Sequence, residues 1–169
     1  DGAKSVEIVN ILAERIIRCY RAGALAMGAS VEVQAVAGYH ALEQNPILQK
    51  TFASNAELIL GRDSVSLVPD GQTHGGSTDM GDLSTIMPVV HPYANSASGV
   101  GHGDDYVIED YDRAVVAPAK VMTATILELL GDNAKLARET LDKHKPAMTV
   151  NQYVNLQRER FTTETYDPS

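Results

Sequence analysis

The chain has 169 residues, 44% hydrophobic and 21% charged, with a formal net charge of -8, an ordinary globular composition with length enough for one domain or two small ones around a real core. That charge, without a basic patch, argues against a nucleic-acid partner, because neutralising phosphates needs clustered Lys and Arg. No apolar run approaches the roughly 20 residues of a membrane span, so no membrane partner is expected.

In chain order, Ser5 reads as an N-cap, followed by Ile8, Leu12, Ile16 and Cys19 at helical spacing, with Gly28 as the stop. Residues 5–27 are therefore expected as one long amphipathic helix. Val31-Glu-Val-Gln-Ala-Val36 alternates apolar and polar residues, the pattern of a half-buried strand. Asn45-Pro46 pairs a capping residue with proline at the first helical position, opening a helix through Leu48, Phe52, Ala56 and Ile59 that Gly61 ends. Residues 64–68 read as another short strand. Helix, strand, helix and strand in this order are most of a split βαβ unit, with both helices on one face of a small antiparallel sheet and the first strand upstream of Asp1.

After Asp70-Gly71 the composition shifts. The glycine-rich segment 71–82 is expected to open a short helix near Asp79 to Thr85. Met87 to Tyr93 reads as a buried strand confined to an edge by Pro88 and Pro92. Residues 94–105 are a loop of small residues. Asp112 is a candidate cap for a helix carrying Val115, Ala119, Met122, Ile126 and Leu130 and stopping at Gly131; Pro118 favours a start near Ala117 instead. Asp132 would cap a further helix that ends before Pro146. Residues 147–169 read as a loosely attached polar tail.

The window from His74 to Asp105 concentrates the polar chemistry: His74, His91 and His102, with Asp79, Asp82, Asp104 and Asp105, interleaved with glycines. Such a mix suits a site where side chains and exposed N–H groups meet a metal or an anion. His102, between glycines and beside two aspartates, has two readings from residue type, a zinc ligand or a solvated loop histidine. Gly75-Gly-Ser-Thr-Asp79 either presents backbone N–H groups and two hydroxyls to a substrate carboxylate, or is a flexible connector with Thr78 or Asp79 as a helix cap. His91 reads as a packed, hydrogen-bonded residue, His40 as structural, and His144 as a favourable partner of a helix C-terminus. His74 stays undecided. The lone Cys19 excludes an internal disulfide framework and fits a reducing, cytoplasmic compartment.

Several runs, taken together, resemble a known family. They are Ala37-Gly-Tyr-His-Ala-Leu-Glu-Gln-Asn45, Asn55-Ala-Glu-Leu-Ile-Leu-Gly61, Gly76-Ser-Thr-Asp-Met-Gly-Asp-Leu-Ser84, Pro88-Val-Val-His-Pro-Tyr93, Gly101-His102 and Ala117-Pro-Ala-Lys-Val-Met122. Their order and spacing, over roughly residues 5–145, are similar to the zinc-dependent amidohydrolases of the aminoacylase and carboxypeptidase type, and most like the aminobenzoyl-glutamate hydrolase branch.

The resemblance implies an α/β (α+β) fragment. Residues 1–70 would be the later part of a ferredoxin-like lid and dimerisation domain, and residues 71–146 the C-terminal part of a zinc-peptidase-like α/β catalytic domain. It implies His102 as a zinc ligand, and Gly76, Ser77, Thr78 and Asp79 as the lining of a pocket for an N-acyl amino acid or similar small amide. It also implies a homodimer. The family's water-activating carboxylate and its other ligands match nothing in these 169 residues, so no catalytic residue is assigned and the chain alone is expected to be inactive. A non-catalytic dimerisation module is the alternative. Gly101-His-Gly-Asp-Asp105 departs from the family pattern, in which a small polar residue and then an aromatic or apolar one commonly follow the histidine.

Overall fold

The computed structural model describes residues 2–67 and 78–168. The elements are α1 (Gly2–Met27), β1 (Val31–Ala35), α2 (Pro46–Leu60), α3 (Met80–Ser84), β2 (Ala97–Ser98), β3 (Val107–Ile108), a π-helical turn (Asp112–Val116) leading into α4 (Ala117–Lys143), α5 (Val150–Glu159) and β4 (Thr162–Tyr166). The fold is mixed helix and small sheets, the α+β class expected. The chain forms two compact units, one from Asp1–Glu43, Gly76–Met87 and Lys145–Ser169, the other from Gln44–Gly75 and Pro88–His144.

In the first unit, β1 pairs antiparallel with β4, Val31 opposite Tyr166 and Ala35 opposite Thr162. The alternation read from the sequence is real: Val31, Val33 and Ala35 are half-buried, while Glu32 and Gln34 are exposed. The partner is not the expected one. Residues 64–67 form no strand, Val68 lies outside the described residues, and the segment read as a polar tail supplies both α5 and the pairing strand β4. Thr149 starts α5 with a reciprocal capping box: its hydroxyl accepts from the Gln152 N–H, and the Gln152 side chain accepts from the Thr149 N–H. α1 begins at Gly2, upstream of the expected Ser5, and stops where Gly28 takes a positive φ of 61°. Arg21 on α1 ties to Glu164 on β4 at 2.7 Å.

In the second unit, α2 packs on α4. Asn45 caps α2 as expected, its side-chain oxygen accepting from the N–H groups of Ile47 and Leu48. Ala56 and Val121 are buried, together with Thr51, Asn55 and Thr125. The buried hydroxyl of Thr125 donates to the Val121 carbonyl, and the Asn55 amide donates to the Thr51 carbonyl and to Glu128 at 2.8 Å. These bonds let polar groups share a small core without leaving donors bare.

Both expected starts of the long helix are present. The chain turns helical at Asp112 as a π-turn, the Ala117 N–H reaching back five residues to the Asp112 carbonyl. α-Helical pairing then begins at Ala117, with Pro118 in the first turn, where its missing N–H costs nothing. The expected break at Gly131 is also observed: Gly131 is extended, and Asp132, Asn133 and Ala134 have positive φ of 47°, 54° and 58° before helical geometry resumes. Asp132 is therefore part of a left-handed turn and not a helix cap.

Met87 to Tyr93 is not a strand. Its backbone groups bond to the start of α2 instead: the Val89 carbonyl accepts from the Asn45 N–H, and the His91 N–H donates to the Gln44 side chain. Pro88 and Pro92 have no N–H to give to a ladder. The expectation of no membrane-length apolar segment also needs correction. Asp112–Lys143 is long and apolar enough to cross a bilayer by length and composition. Little of that apolar stretch is buried within the chain, although α2 packs on part of it.

Candidate functional site

The residues singled out from sequence fall into both units. Gly76 and Ser77, with His74, lie outside the described residues. Thr78 and Asp79 belong to the first unit and His102 to the second.

Thr78 and Asp79 lead into α3. The cap is shared between them: the Thr78 hydroxyl accepts from the Met80 N–H at 3.3 Å and donates to the Asp79 carboxylate, while the Asp79 carbonyl accepts from Asp82 and Leu83. Asp79 keeps helical backbone angles and its side chain caps nothing. The carboxylate of Asp79 is exposed at this end of the helix.

α3 is fixed to the segment after β1. Gly81 is required there, because a Cβ would overlap the His40 carbonyl. The Ser84 hydroxyl accepts from the Glu43 N–H and donates to the Gly81 carbonyl. Asp82 is the central acceptor. One carboxylate oxygen takes the His40 N–H at 2.8 Å and the other the Tyr153 hydroxyl at 3.0 Å, while the Tyr153 oxygen accepts from the Gln157 amide at 3.2 Å. His40 is buried at 6% exposure, its ring tilted against Tyr153 at 6.0 Å. Burial lowers the His40 pKa below the usual imidazole value, the nearby Arg160 guanidinium lowers it further, and Asp82 opposes both. On Tyr153, the Gln157 bond favours the ionised phenol, but burial and the Asp82 carboxylate outweigh it and the pKa is raised. Both groups are thus held neutral around a carboxylate.

The structural role expected for His40 is what this packing shows. Tyr153 and Gln157 were missed, since they fall in the supposed tail. The signal present was Thr149-x-x-Gln152, a capping-box spacing, followed by Tyr153 and Gln157 one helical turn apart.

His102 sits on a tight turn in which the Gly103 N–H donates to the Val100 carbonyl at 2.7 Å. Its φ of 66° is left-handed, as the third position of a type II turn requires. A histidine held there costs about 1–2 kcal/mol relative to glycine. Gly99, with φ 84°, allows the turn to close on the Asp105 backbone, and an Asp105 carboxylate oxygen accepts from the Val100 N–H. The turn is flanked by the short β2–β3 pair, Ala97 opposite Ile108. Every residue from Gly101 to Asp110 is exposed, so the imidazole is open to solvent.

His91 is half-buried and edge-on to Tyr93 at 5.0 Å, packed as expected, but its buried ring Nδ1 has no hydrogen-bond partner among the described residues. His144 ends α4 as its C-cap, the position expected for a helix-dipole partner.

A zinc site needs three or four converging donors. Among the described residues no three His, Cys, Asp or Glu side chains come together in that way. His102 offers one exposed imidazole, and Asp105 is already engaged by its own turn. The described residues therefore do not by themselves fit the metal that the resemblance implies.

The chain is distantly similar to curated dipeptidases. The chain is 29% identical over 136 residues to the Xaa-Arg dipeptidase of Homo sapiens, covering 76% of this chain and 30% of that protein. The Xaa-Arg dipeptidase of Mus musculus is 28% identical over 136 residues, with 76% and 31% covered. The chain thus spans about a third of the length of these curated relatives. No family model matches it, and no solved structure matches it.

Proposed function

We propose that this chain is part of a metal-dependent amidohydrolase or peptidase that cleaves the amide bond of an N-acyl amino acid, a dipeptide or an aminobenzoyl-glutamate-like substrate. The observation that carries the reading is the similarity to Xaa-Arg dipeptidases over most of the chain. On this reading His102 is one zinc ligand, and Gly76, Ser77, Thr78 and Asp79 form part of the substrate wall. Residues 1–70 correspond to lid sequence and residues 71–146 to catalytic-domain sequence.

The isolated chain is inactive on this account, because a lone imidazole cannot hold and activate a metal-bound water. Incubating the purified chain with zinc and an acyl-amino acid, beside a His102→Ala control, tests this. Turnover equal to the control is expected; turnover that depends on His102 defeats the claim of incompetence.

A second reading, a non-catalytic dimerisation module, draws on α1. Its Ile8, Leu12, Ile16 and Tyr20 recur on one face and are 50–60% exposed. Small-angle scattering that returns a monomer mass at high concentration removes this reading.

A further inference from the structure

Among the described residues His40 is the only buried ionisable side chain, at 6% exposure. Its ring Nε2 is closed off from solvent and has no hydrogen-bond partner among those residues. A neutral imidazole tolerates that position at the cost of one unmade bond. An imidazolium does not, because burial strips its charge of water and leaves an N–H at Nε2 with no acceptor. The charged and titratable groups that bear on the ring come from each element around it. They are Asp82 on α3, Tyr153 on α5 and Arg160 at the end of α5, with Tyr39 and Glu43 on its own segment. Arg158 lines the groove beside Asp82 and Tyr153. Asp82 favours a positive ring, but its two oxygens are already engaged by the His40 N–H and the Tyr153 hydroxyl. Arg160 opposes a second positive charge.

The two sides of this cluster are not held equally. The His40 backbone is fixed: its N–H bonds to Asp82, its carbonyl lies against Gly81 where a Cβ would overlap it, and the Glu43 N–H bonds to Ser84. α5, by contrast, buries no residue. With β4 it is held by the Tyr153–Asp82 bond, the Met148 N–H on the Thr85 carbonyl, the ladder to β1 and the Arg21–Glu164 pair. We propose that the arm formed by α5 and β4 is an acid-released clasp: when the His40 ring takes up a proton, the arm lets go of α3 and β1. Release hydrates the imidazolium and carries Arg160 away from it, so both penalties disappear in one movement. The neutral ring favours the closed arm above pH ~6.5, the ordinary imidazole value, and that preference is lost as the pH falls below it. The inference does not rest on the hydrolase reading, since His40, Tyr153 and Arg160 have no role there.

The test is amide hydrogen exchange on the ¹⁵N-labelled full chain between pH ~7.5 and ~5, expressed as protection factors so that the intrinsic pH dependence of exchange cancels. A ring of ordinary pKa in the open state favours opening by up to about thirtyfold at pH ~5. The expected result is a fall of about threefold to thirtyfold in the protection of Tyr153, Arg160 and the β4 amides. The α2 amides, in the second unit, keep theirs. His40→Gln, which cannot take the charge, and His40→Phe, which fills the same space, should each abolish the fall. In the unaltered chain the loss should set in below pH ~6.5 and level off where the His40 ring titrates by NMR, a readout that stands even if a variant fails to fold. Unchanged protection across the arm overturns the proposal. So does an equal fall in the His40 variants, a fall shared by α2, or a loss that continues unaltered through the ring's titration.

Discussion

Removing the Asp82 carboxylate should release α3 from the two segments it joins. The group accepts from the His40 N–H at 2.8 Å and the Tyr153 hydroxyl at 3.0 Å. Hydrogen bonds to a charged group contribute about 1.5–3 kcal/mol each, and Asp82 is only half-buried, so water recovers part of that. A loss of about 3 kcal/mol is expected for Asp82→Ala, and about half for Asp82→Asn, which keeps one acceptor. Amide hydrogen exchange at His40 reads this directly, because that N–H is one of the two donors. At 1.4 kcal/mol per decade, Asp82→Ala should accelerate its exchange roughly a hundredfold. Tyr153→Phe alone should accelerate it about tenfold. The double variant should fall short of the sum, as expected of neighbours sharing one acceptor. An acceleration under about threefold for Asp82→Ala would mean the carboxylate does not hold these segments together, and the reasoning would fail.

Other outcomes follow from the same geometry. The His40 pKa is depressed in the folded chain, so the unfolded chain binds its proton first; the stability it contributes is complete above pH ~6.5 and is lost as the pH falls below that. An NMR titration should place the His40 ring below ~6.5, and a value above it contradicts the burial argument. Asn45→Ala removes the acceptor for two α2 N–H groups and should cost about 1 kcal/mol, seen as a lower urea midpoint at unchanged slope. His102→Gly relieves a left-handed residue and should be neutral or stabilising by up to about 1 kcal/mol; a clear destabilisation would show that the imidazole has a structural contact.

Local signals in the sequence carried most of the helices. Asn45-Pro46 with Gly61 bounds α2, Gly28 ends α1, and Gly131 marks the break in α4, because each depends only on φ, ψ and the nearest N–H groups. The alternation in Val31 to Ala35 was legible for the same reason. What could not be read was partnership. The strand that pairs with β1 lies at the opposite end of the chain, and Thr-Thr-Glu-Thr-Tyr carries no apolar alternation to announce it. Met87 to Tyr93 has a strand's composition, yet its backbone bonds to the start of a helix. For the site, the segment opening α3 was visible through its glycines. The Asp82–Tyr153–Gln157 network was not, since it needs α5 to be folded and brought to α3.

The proposal most directly open to test is that His102 serves as a metal ligand of an amide-bond hydrolase. The most direct test is zinc affinity and amide hydrolysis by the longest natural product containing these residues, compared with its His102→Ala form. The account predicts that the substitution lowers both metal affinity and kcat/KM by about a hundredfold or more, since even residues that only orient a metal ligand cost 10–100-fold. Unchanged metal affinity and turnover would contradict it.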